Sequence, residues 1–155
     1  MTDKMFTAKM NDKEIKDKLE ELYEYTSNLK PLFRVLRQTI LAAIDDNFTT
    51  EGTASGDKWE ELSEKWVAER IKHGKFSKIL QYDGDLRTSF IGKVTSNDLT
   101  IGSPKEYAAV HNFGYEERNM PKREIIRFSD QQIEDIVFEL HWWYIKNIKY
   151  ALKRY

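Results

Sequence analysis

The chain has 155 residues, of which 40% are apolar and 33% charged, and its 25 basic and 26 acidic side chains leave a formal net charge of −1. This composition excludes collagen-like, disordered and membrane-spanning classes, because the apolar content suffices for a core and no stretch reaches the roughly 20 apolar residues that a bilayer requires. Aromatic residues make up 13% of the chain, which is a high proportion of large side chains for so polar a sequence.

The net charge and the absence of cysteine further restrict the possible classes of protein. A near-zero net charge argues against nucleic acid as a partner, since proteins that neutralise many phosphates carry a clear basic excess. The absence of cysteine excludes disulfides and thiolate chemistry, and it fits a reducing cytoplasm. Residues 1–10 lack the apolar run of a signal peptide. The length fits one domain, 1–155.

Residues 1–50 are predicted to be helical. Asn11 and Glu14 can form a capping box, after which apolar residues recur at helical spacing. Asn28 and Pro31 interrupt this period, which then continues to about residue 47. The region is therefore either one long kinked helix or a helical pair.

The next segments are predicted to be a loop and a short helix. Residues 49–57 form a flexible loop, because no Gly-Lys-Ser/Thr follows the two glycines to make a phosphate-binding loop. Apolar residues from Trp59 to Ile71 indicate a short helix with Ser63 as its cap. Gly74 suits the exit of that helix, because glycine tolerates the left-handed conformation there.

The middle of the chain predicts a small antiparallel sheet. The extended stretches 91–95 and 99–101 flank a polar Ser-Asn-Asp turn, which is the pattern of a β-hairpin. Residues 124–128 alternate in a way that fits a third strand. A compact helix over 107–111, ending near Gly114, is predicted between them.

Residues 129–155 are predicted to form a long helix opened by mutual capping of Ser129 and Gln132. Its main apolar stripe leaves a second row unaccounted for, namely Phe138, Trp142 and Ile145. One face cannot bury both rows, so this helix is either enclosed by the domain or lies against another subunit.

These elements predict an α+β fold. It comprises a long N-terminal helical region (1–50), a small antiparallel β-sheet of about three strands from the middle region (59–128), and a long C-terminal helix (129–155) packed on that sheet.

The sequence offers little catalytic or metal-binding chemistry. His73, His111 and His141 stand far apart without ligand spacing, so we expect no metal and no cofactor. No nucleophile motif is present, so we expect no catalytic residue and no enzyme. His111 is predicted to be a buried histidine bonded to backbone; the alternative is a hydrolase in which a distant carboxylate pairs with it.

A basic cluster near the last predicted strand supports a second alternative. Arg118, Lys122, Arg123 and Arg127 form the densest positive patch of the sequence. Such a patch fits a nucleic-acid-binding accessory protein, an acidic partner surface or a plain solvated loop.

Five pieces of sequence between residues 59 and 128 together resemble a known family. They are Trp59 with Leu62-Ser63; Ile79-Leu80-Gln81-Tyr82-Asp83-Gly84-Asp85-Leu86-Arg87-Thr88-Ser89-Phe90; Ile101-Gly102-Ser103; Tyr107-Ala108 with His111-Asn112-Phe113-Gly114; and Met120-Pro121-Lys122-Arg123. Their order and spacing resemble tailed-phage virion morphogenesis proteins, also called tail completion proteins, of Mu-like phages and prophages. Glu124-Ile125 stand where that family has Pro-Phe.

The resemblance implies a structural protein of virion morphogenesis that acts at the head–tail junction, without enzymatic activity. It implies partners of two kinds: further copies of the chain in a ring-like homo-oligomer, for which a hexamer is the suggested size, and tail-tube or head-connector proteins. We expect no membrane as a partner, and the balanced charge argues against nucleic acid without excluding it. The expected location is the host cytoplasm during assembly and then the virion.

The resemblance also assigns residues. The family-motif residues expected to be structural are Gly84, Leu86, Ser89, Tyr107, His111, Gly114, Pro121 and Arg123. Tyr107 and His111 are expected to share one helical face against the sheet. The candidate interface residues are Phe138, Trp142, Ile145, Trp59 and Trp66, because large aromatic side chains are enriched at interfaces.

Overall fold

The computed structural model describes residues 12–153, so the predicted cap at Asn11 lies outside the described residues. The elements are six helices and two strands within that range: α1 (Asp12–Ser27), α2 (Lys30–Thr50), α3 (Glu64–Lys72), α4 (Asp85–Thr88), β1 (Ile91–Val94), β2 (Leu99–Gly102), α5 (Glu106–Phe113) and α6 (Asp130–Lys153). No helix within 12–153 is both long and apolar enough to cross a membrane. The predicted α+β class is confirmed.

The N-terminal region is a helical pair. The break falls at Asn28 and Leu29, where the Asn28 Oδ1 atom accepts a hydrogen bond from the Lys30 N–H at 3.2 Å. Pro31 lies in the first turn of α2, where its missing N–H costs nothing. The Leu29 N–H donates to the Ser96 carbonyl at 2.9 Å, which ties the start of α2 to the hairpin turn.

The segment after α2 is a tightly packed turn rather than the flexible loop that the sequence predicts. Gly52 has φ of +90°, and a Cβ there would lie 2.2 Å from the Asp57 carbonyl oxygen and 2.6 Å from the Trp59 ring. Ser55 is buried and donates from its hydroxyl to the Gly52 carbonyl at 2.9 Å. The polar composition of this segment predicts a flexible loop. It does not reveal that the turn packs against the Trp59 ring.

Several local predictions are confirmed. β1 and β2 form an antiparallel hairpin with Ile91 opposite Gly102. Ser63 caps α3 by accepting from the Trp66 N–H at 3.4 Å. The Ser129 N–H donates to the Gln132 Oε1 atom at 2.9 Å, and the Gln132 N–H donates to the Ser129 hydroxyl at 3.3 Å, so the predicted mutual cap opens α6.

The predicted third strand at 124–128 is wrong. Asn47, fully buried in α2, donates from Nδ2 to the carbonyls of Ile125 at 3.1 Å and Arg127 at 2.9 Å. The Asn112 Oδ1 atom accepts from the N–H groups of Ile125 at 2.9 Å and Ile126 at 3.0 Å. Because two side-chain amides bind this backbone, the segment needs no neighbouring strand. The sheet therefore has two strands.

The core lies between α2, α5 and the segments around residues 59, 80 and 125. Phe48 is its centre and meets the Trp59 ring edge-on at a centroid distance of 5.6 Å. The Gln81 side chain donates from Nε2 to the Phe48 carbonyl at 2.7 Å, which binds the 79–86 segment to the end of α2. The buried apolar cluster consists of Ile44, Phe48, Trp59, Ile79, Leu80, Leu86, Ala108 and Ile125.

The prediction that the C-terminal helix packs on the sheet is wrong. α6 packs against α1 and α2, and the hairpin also packs against α2. α2 is thus the central element that both contact. Burial of Leu32, Leu36, Ala43 and Ile44 explains this arrangement, because α2 has enough apolar surface for two neighbours.

Candidate functional site

The residues that carry the family resemblance meet at one cleft of about 800 Å³. The cleft lies between α3, the 79–86 segment, α5 and the 115–123 segment. Six of the eight family-motif residues line it: Gly84, Leu86, Tyr107, His111, Pro121 and Arg123. The fold therefore gathers residues that are spread over the motif run onto one surface.

The other two motif residues support the walls of the cleft. The Ser89 hydroxyl donates to the Leu86 carbonyl at 2.7 Å and lies 2.6 Å from the Ser103 hydroxyl, which joins α4 to the start of α5. Gly114 has φ of +77°, and a Cβ there would lie 3.1 Å from the backbone nitrogen of Lys122. Gly114 therefore allows the 115–123 segment to fold back against the end of α5.

Arg123 anchors the floor of the cleft. Its side chain is buried, and its Nε and Nη2 atoms donate to the Glu60 carbonyl at 3.0 and 2.9 Å. Its backbone N–H donates to the His111 carbonyl at 2.8 Å. Burial lowers the pKa of Arg123, the Glu60 carboxylate raises it, and Arg70 lowers it again. The positive charge is therefore held within the protein wall by backbone contacts.

His111 lies half-buried beside Arg123. Its ring meets the Tyr107 ring edge-on at 6.3 Å, so both side chains share a helical face as expected, but that face lines the cleft and not the sheet. Burial lowers the pKa of His111, and the charges of Arg123 and Arg70 lower it further. The imidazole is thus held neutral to a lower pH than a free histidine.

The His111 ring does not make the contacts expected of it. Its Nδ1 atom is buried and has no hydrogen-bond partner among the described residues, so the predicted bond to backbone is wrong. Nor does any described carboxylate hydrogen-bond to the ring, which the hydrolase alternative requires. Among the side chains that the structure describes, no group of three histidine or carboxylate residues is placed to hold a metal ion.

In the fold, two members of the basic cluster pair with carboxylates and a third is buried. Lys122 pairs with Glu124 at 2.6 Å, and Arg127 pairs with Asp57 at 2.9 Å and Glu124 at 2.6 Å. Lys122 is the main cause of the lowered pKa of Glu124, followed by Arg127. Because Arg123 is buried, this geometry does not favour the nucleic-acid alternative.

The two tryptophans after the first loop have different environments. Trp59 is 4% exposed, and its Nε1–H donates to the Glu124 carbonyl at 3.2 Å, so it belongs to the core and is not a surface residue as the candidate interface required. Trp66 is 63% exposed on α3, at the rim of the cleft. Arg70 also lines the cleft, although no motif in the sequence singles it out. Its spacing of four from Trp66 was the available signal, because such residues share a helical face.

The second candidate surface is on α6. Phe138 is 65% exposed, Trp142 57% and Ile145 49%. None of residues 130–149 is buried, although the helix packs on α1 and α2. We call the exposed side of this helix, defined by Phe138, Trp142 and Ile145, the α6 face. A folded chain that exposes large apolar side chains so closely spaced has the features of a subunit that contacts other chains.

Comparison with known families identifies the chain. The model of the phage virion morphogenesis family matches residues 10–141. Because this match covers most of the sequence, the chain belongs to the phage virion morphogenesis family. The resemblance to Mu-like phage proteins is thereby confirmed, and membership supports a structural or assembly role in a phage particle.

Individual relatives come from phages and from an archaeon. The chain is 34% identical over 98 residues to protein G of Escherichia phage Mu, named for capsid assembly, covering 62% of each chain. It is 29% identical over 104 residues to G protein 2 of the Mu-like prophage FluMu of Haemophilus influenzae, covering 67% of this chain and 66% of the relative. An uncharacterised Methanocaldococcus jannaschii protein is 31% identical over 102 residues, covering 63% and 76%.

The alignments with the two Mu-type proteins span less than two thirds of those proteins. No solved structure matches the chain significantly.

Proposed function

We propose that the chain is a structural subunit that completes the tail or joins it to the head, as a ring-like homo-oligomer in contact with tail-tube or head-connector proteins. The hexamer is the ring size to test first. On this proposal the chain assembles in the host cytoplasm and remains in the virion. The α6 face is the observation that carries it.

Two large apolar side chains of the α6 face are in contact with water. Phe138 and Trp142 lie four residues apart on α6, and each is more than half exposed to water. A neighbouring subunit that covers them gains about 25 cal/mol for each Å² of apolar surface buried. Aromatic side chains at the centre of a contact are also the typical hot spots of protein interfaces.

The experiment is a replacement in the phage or prophage that encodes the chain. Deletion of the chain is expected to leave heads and tails separate in electron micrographs, and the wild-type chain supplied in trans is expected to restore joined, infectious particles. The double variant Phe138→Glu/Trp142→Glu is expected to fail, because it places charge in the contact.

The matched control is Ile91→Glu, at a position that is 62% exposed on β1, a different element from α6. It is expected to restore joining as the wild type does. Circular dichroism of the purified variants verifies that each remains folded. Normal joined particles with the double variant, or after deletion, would overturn the proposal.

A further inference from the structure

The side of α6 that bears the α6 face has a charged residue at each end. With about 100° of rotation per residue, Glu134 and Lys149 lie on the same side of the helix as that face. Both residues are exposed. Along the helix axis, this side therefore begins with an acid, continues with Phe138, Trp142 and Ile145, and ends with a base.

The opposite side of α6 makes the contacts within the chain. Ile136, Leu140 and Trp143 are half-buried there, and α6 packs on α1 and α2. Ile145 follows Ile136 by nine residues, which corresponds to about two and a half helical turns. The α6 face is therefore directed away from α1 and α2.

The charges of α6 are segregated along its length. The acids are in the first half and the bases in the second: Asp130, Glu134, Asp135 and Glu139, then Lys146 and Lys149. Like charges four residues apart, such as Asp135 and Glu139, destabilise a helix on its own. The helix dipole favours acids near the N-terminus, but its effect is confined to the first turn and does not reach Glu139. Stability of the single helix therefore does not explain the segregation.

The charged residues at the two ends of this side have no partner of opposite charge within the described part of the chain. Glu134, Lys146 and Lys149 take part in no ion pair among the described residues. The Asp135 Oδ1 atom accepts a hydrogen bond from the uncharged side chain of Gln131 at 3.1 Å. The opposite charges that these groups lack must come from another molecule.

We propose that two copies of the chain pair through α6 in antiparallel orientation, about a two-fold axis that passes near Trp142. Glu134 of each copy then lies beside Lys149 of the other copy. This inference rests on the proposed function in one respect, namely that a further copy of the chain covers the α6 face. It adds the surface of that copy that makes the contact, and its direction.

The order of the charges favours a second copy in this orientation. In an antiparallel pair, the acidic half of each helix faces the basic half of the other, while the apolar residues meet in the middle. In a parallel pair, acids would face acids and bases would face bases. A surface that is complementary to itself under a two-fold rotation is characteristic of an isologous contact. Because such a contact closes on itself, a ring built from these pairs has an even number of chains, as a hexamer does.

Sedimentation equilibrium of the purified full-length chain at low ionic strength tests the pairing. The wild type is expected at twice its mass of 18.4 kDa, or at a higher even multiple if pairs assemble further. The double variant Phe138→Glu/Trp142→Glu is expected to remain at 18.4 kDa, because it places charge in the middle of the contact.

Charge exchange tests the orientation. Glu134→Lys and Lys149→Glu are each expected to raise the dissociation constant of the pair about fivefold, because symmetry turns two attractive contacts into repulsive ones. Glu134→Lys/Lys149→Glu is expected to restore wild-type affinity, because opposite charges face each other again. The two positions are about 22 Å apart along one helix, too far to compensate within a chain. High salt is expected to reduce all these differences.

The matched control is Lys93→Glu, an equal change of charge at an exposed position on β1, and it is expected to leave the dissociation constant unchanged. Circular dichroism verifies that each variant is folded. A monomeric wild type, an odd number of chains, single variants that pair as the wild type does, or a double exchange that restores nothing would each overturn the inference.

The inference and the proposed function can fail separately. A chain that is monomeric in solution and yet restores joined particles would overturn the antiparallel pair alone. A chain that pairs as expected, but whose deletion leaves heads and tails joined, would overturn the proposed function alone.

Discussion

Asn47 and Asn112 hold the backbone of residues 124–128 from two different helices. Asn47 donates to two of its carbonyls from α2, while Asn112 accepts from two of its N–H groups from α5. This segment also provides Ile125 to the core and leads into α6. The two amides therefore fix the position of the C-terminal part of the chain relative to α2 and α5.

Replacing Asn47 tests this role. Asn47→Ala leaves two carbonyls without their donor, one of them on the fully buried Ile125, and is expected to lower the free energy of unfolding by about 3 kcal/mol. Urea titration followed by circular dichroism measures this change. The control Asn97→Ala, in the exposed hairpin turn, is expected to change stability by less than about 0.5 kcal/mol. Equal stability of the two variants would contradict the role assigned to Asn47.

His111 gives the stability a pH dependence. Its pKa in the folded chain is lowered by burial and by Arg123 and Arg70, with Tyr107 as its neighbour on α5. Below the ordinary histidine pKa of 6.5, the unfolded chain binds a proton more readily than the folded chain does. Stability is therefore full above that pH and falls as the pH drops below it.

A neutral replacement at this position isolates the effect. Between pH 7.5 and pH 5.5, the wild type is expected to lose up to about 1 kcal/mol more stability than His111→Phe, the folded His111 being the group that resists protonation. Urea titrations at the two pH values measure the difference. An equal loss in both proteins, or a larger loss in the variant, would contradict the lowered pKa.

At the scale of elements, the turn between α2 and Trp59 depends on Gly52. Both Gly52 and Gly56 adopt positive φ, but the space around them differs. A Cβ at Gly52 would overlap the Asp57 carbonyl and the Trp59 ring, whereas a Cβ at Gly56 would meet nothing within 4 Å. Substitutions at Gly52 and Gly56 therefore separate two costs in the free energy of unfolding, that of backbone strain and that of lost packing.

Alanine substitutions at the two glycines give a matched comparison. Gly56→Ala is expected to cost about 1 kcal/mol from backbone strain alone. Gly52→Ala is expected to cost about 3 kcal/mol or more, because the Trp59 ring must also move out of its place against Phe48. Thermal and urea unfolding measure both changes. Similar costs would show that the turn does not require close approach at Gly52.

Features determined by neighbours in the sequence were predictable, and those determined by distant partners were not. The caps at Ser63 and Ser129 and the hairpin follow from residues a few positions apart. The false strand at 124–128 arose because its alternating pattern fits a strand, while Asn47, the residue that binds its carbonyls, is 78 positions from Ile125. Likewise, periodicity predicts the helix α6 but does not predict that α6 packs against α2.

In the candidate site, too, some features were predictable from nearby residues and others depend on distant partners. The motif run identified most of the residues that line the cleft, but not the convergence of Arg70, His111 and Arg123, which no local pattern encodes. Trp59 and Trp66 look alike in the sequence as large rings beside a loop. In the structure, Trp59 packs against the turn at Gly52 and is buried, whereas Trp66 is exposed.

At the scale of the whole molecule, the aromatic residues divide between core and surface. Phe48 and Trp59 fill the core, Trp66 lies at the rim of the cleft, and Phe138 and Trp142 lie on the α6 face. The rim of the cleft and the α6 face are thus two separate exposed aromatic surfaces, and the proposed function uses the second of them. The near-zero net charge is compatible with close stacking of identical copies.

Site-specific cross-linking in the phage particle tests the α6 contact most directly, because the chain has no native cysteine. A Phe138→Cys chain labelled with benzophenone maleimide is incorporated into particles and irradiated, with Ile91→Cys as the matched exposed control. The account predicts adducts of this chain with itself, at multiples of 18.4 kDa, from the Phe138→Cys chain and not from the control. Particles that contain the chain but yield no such adducts from Phe138→Cys would contradict it.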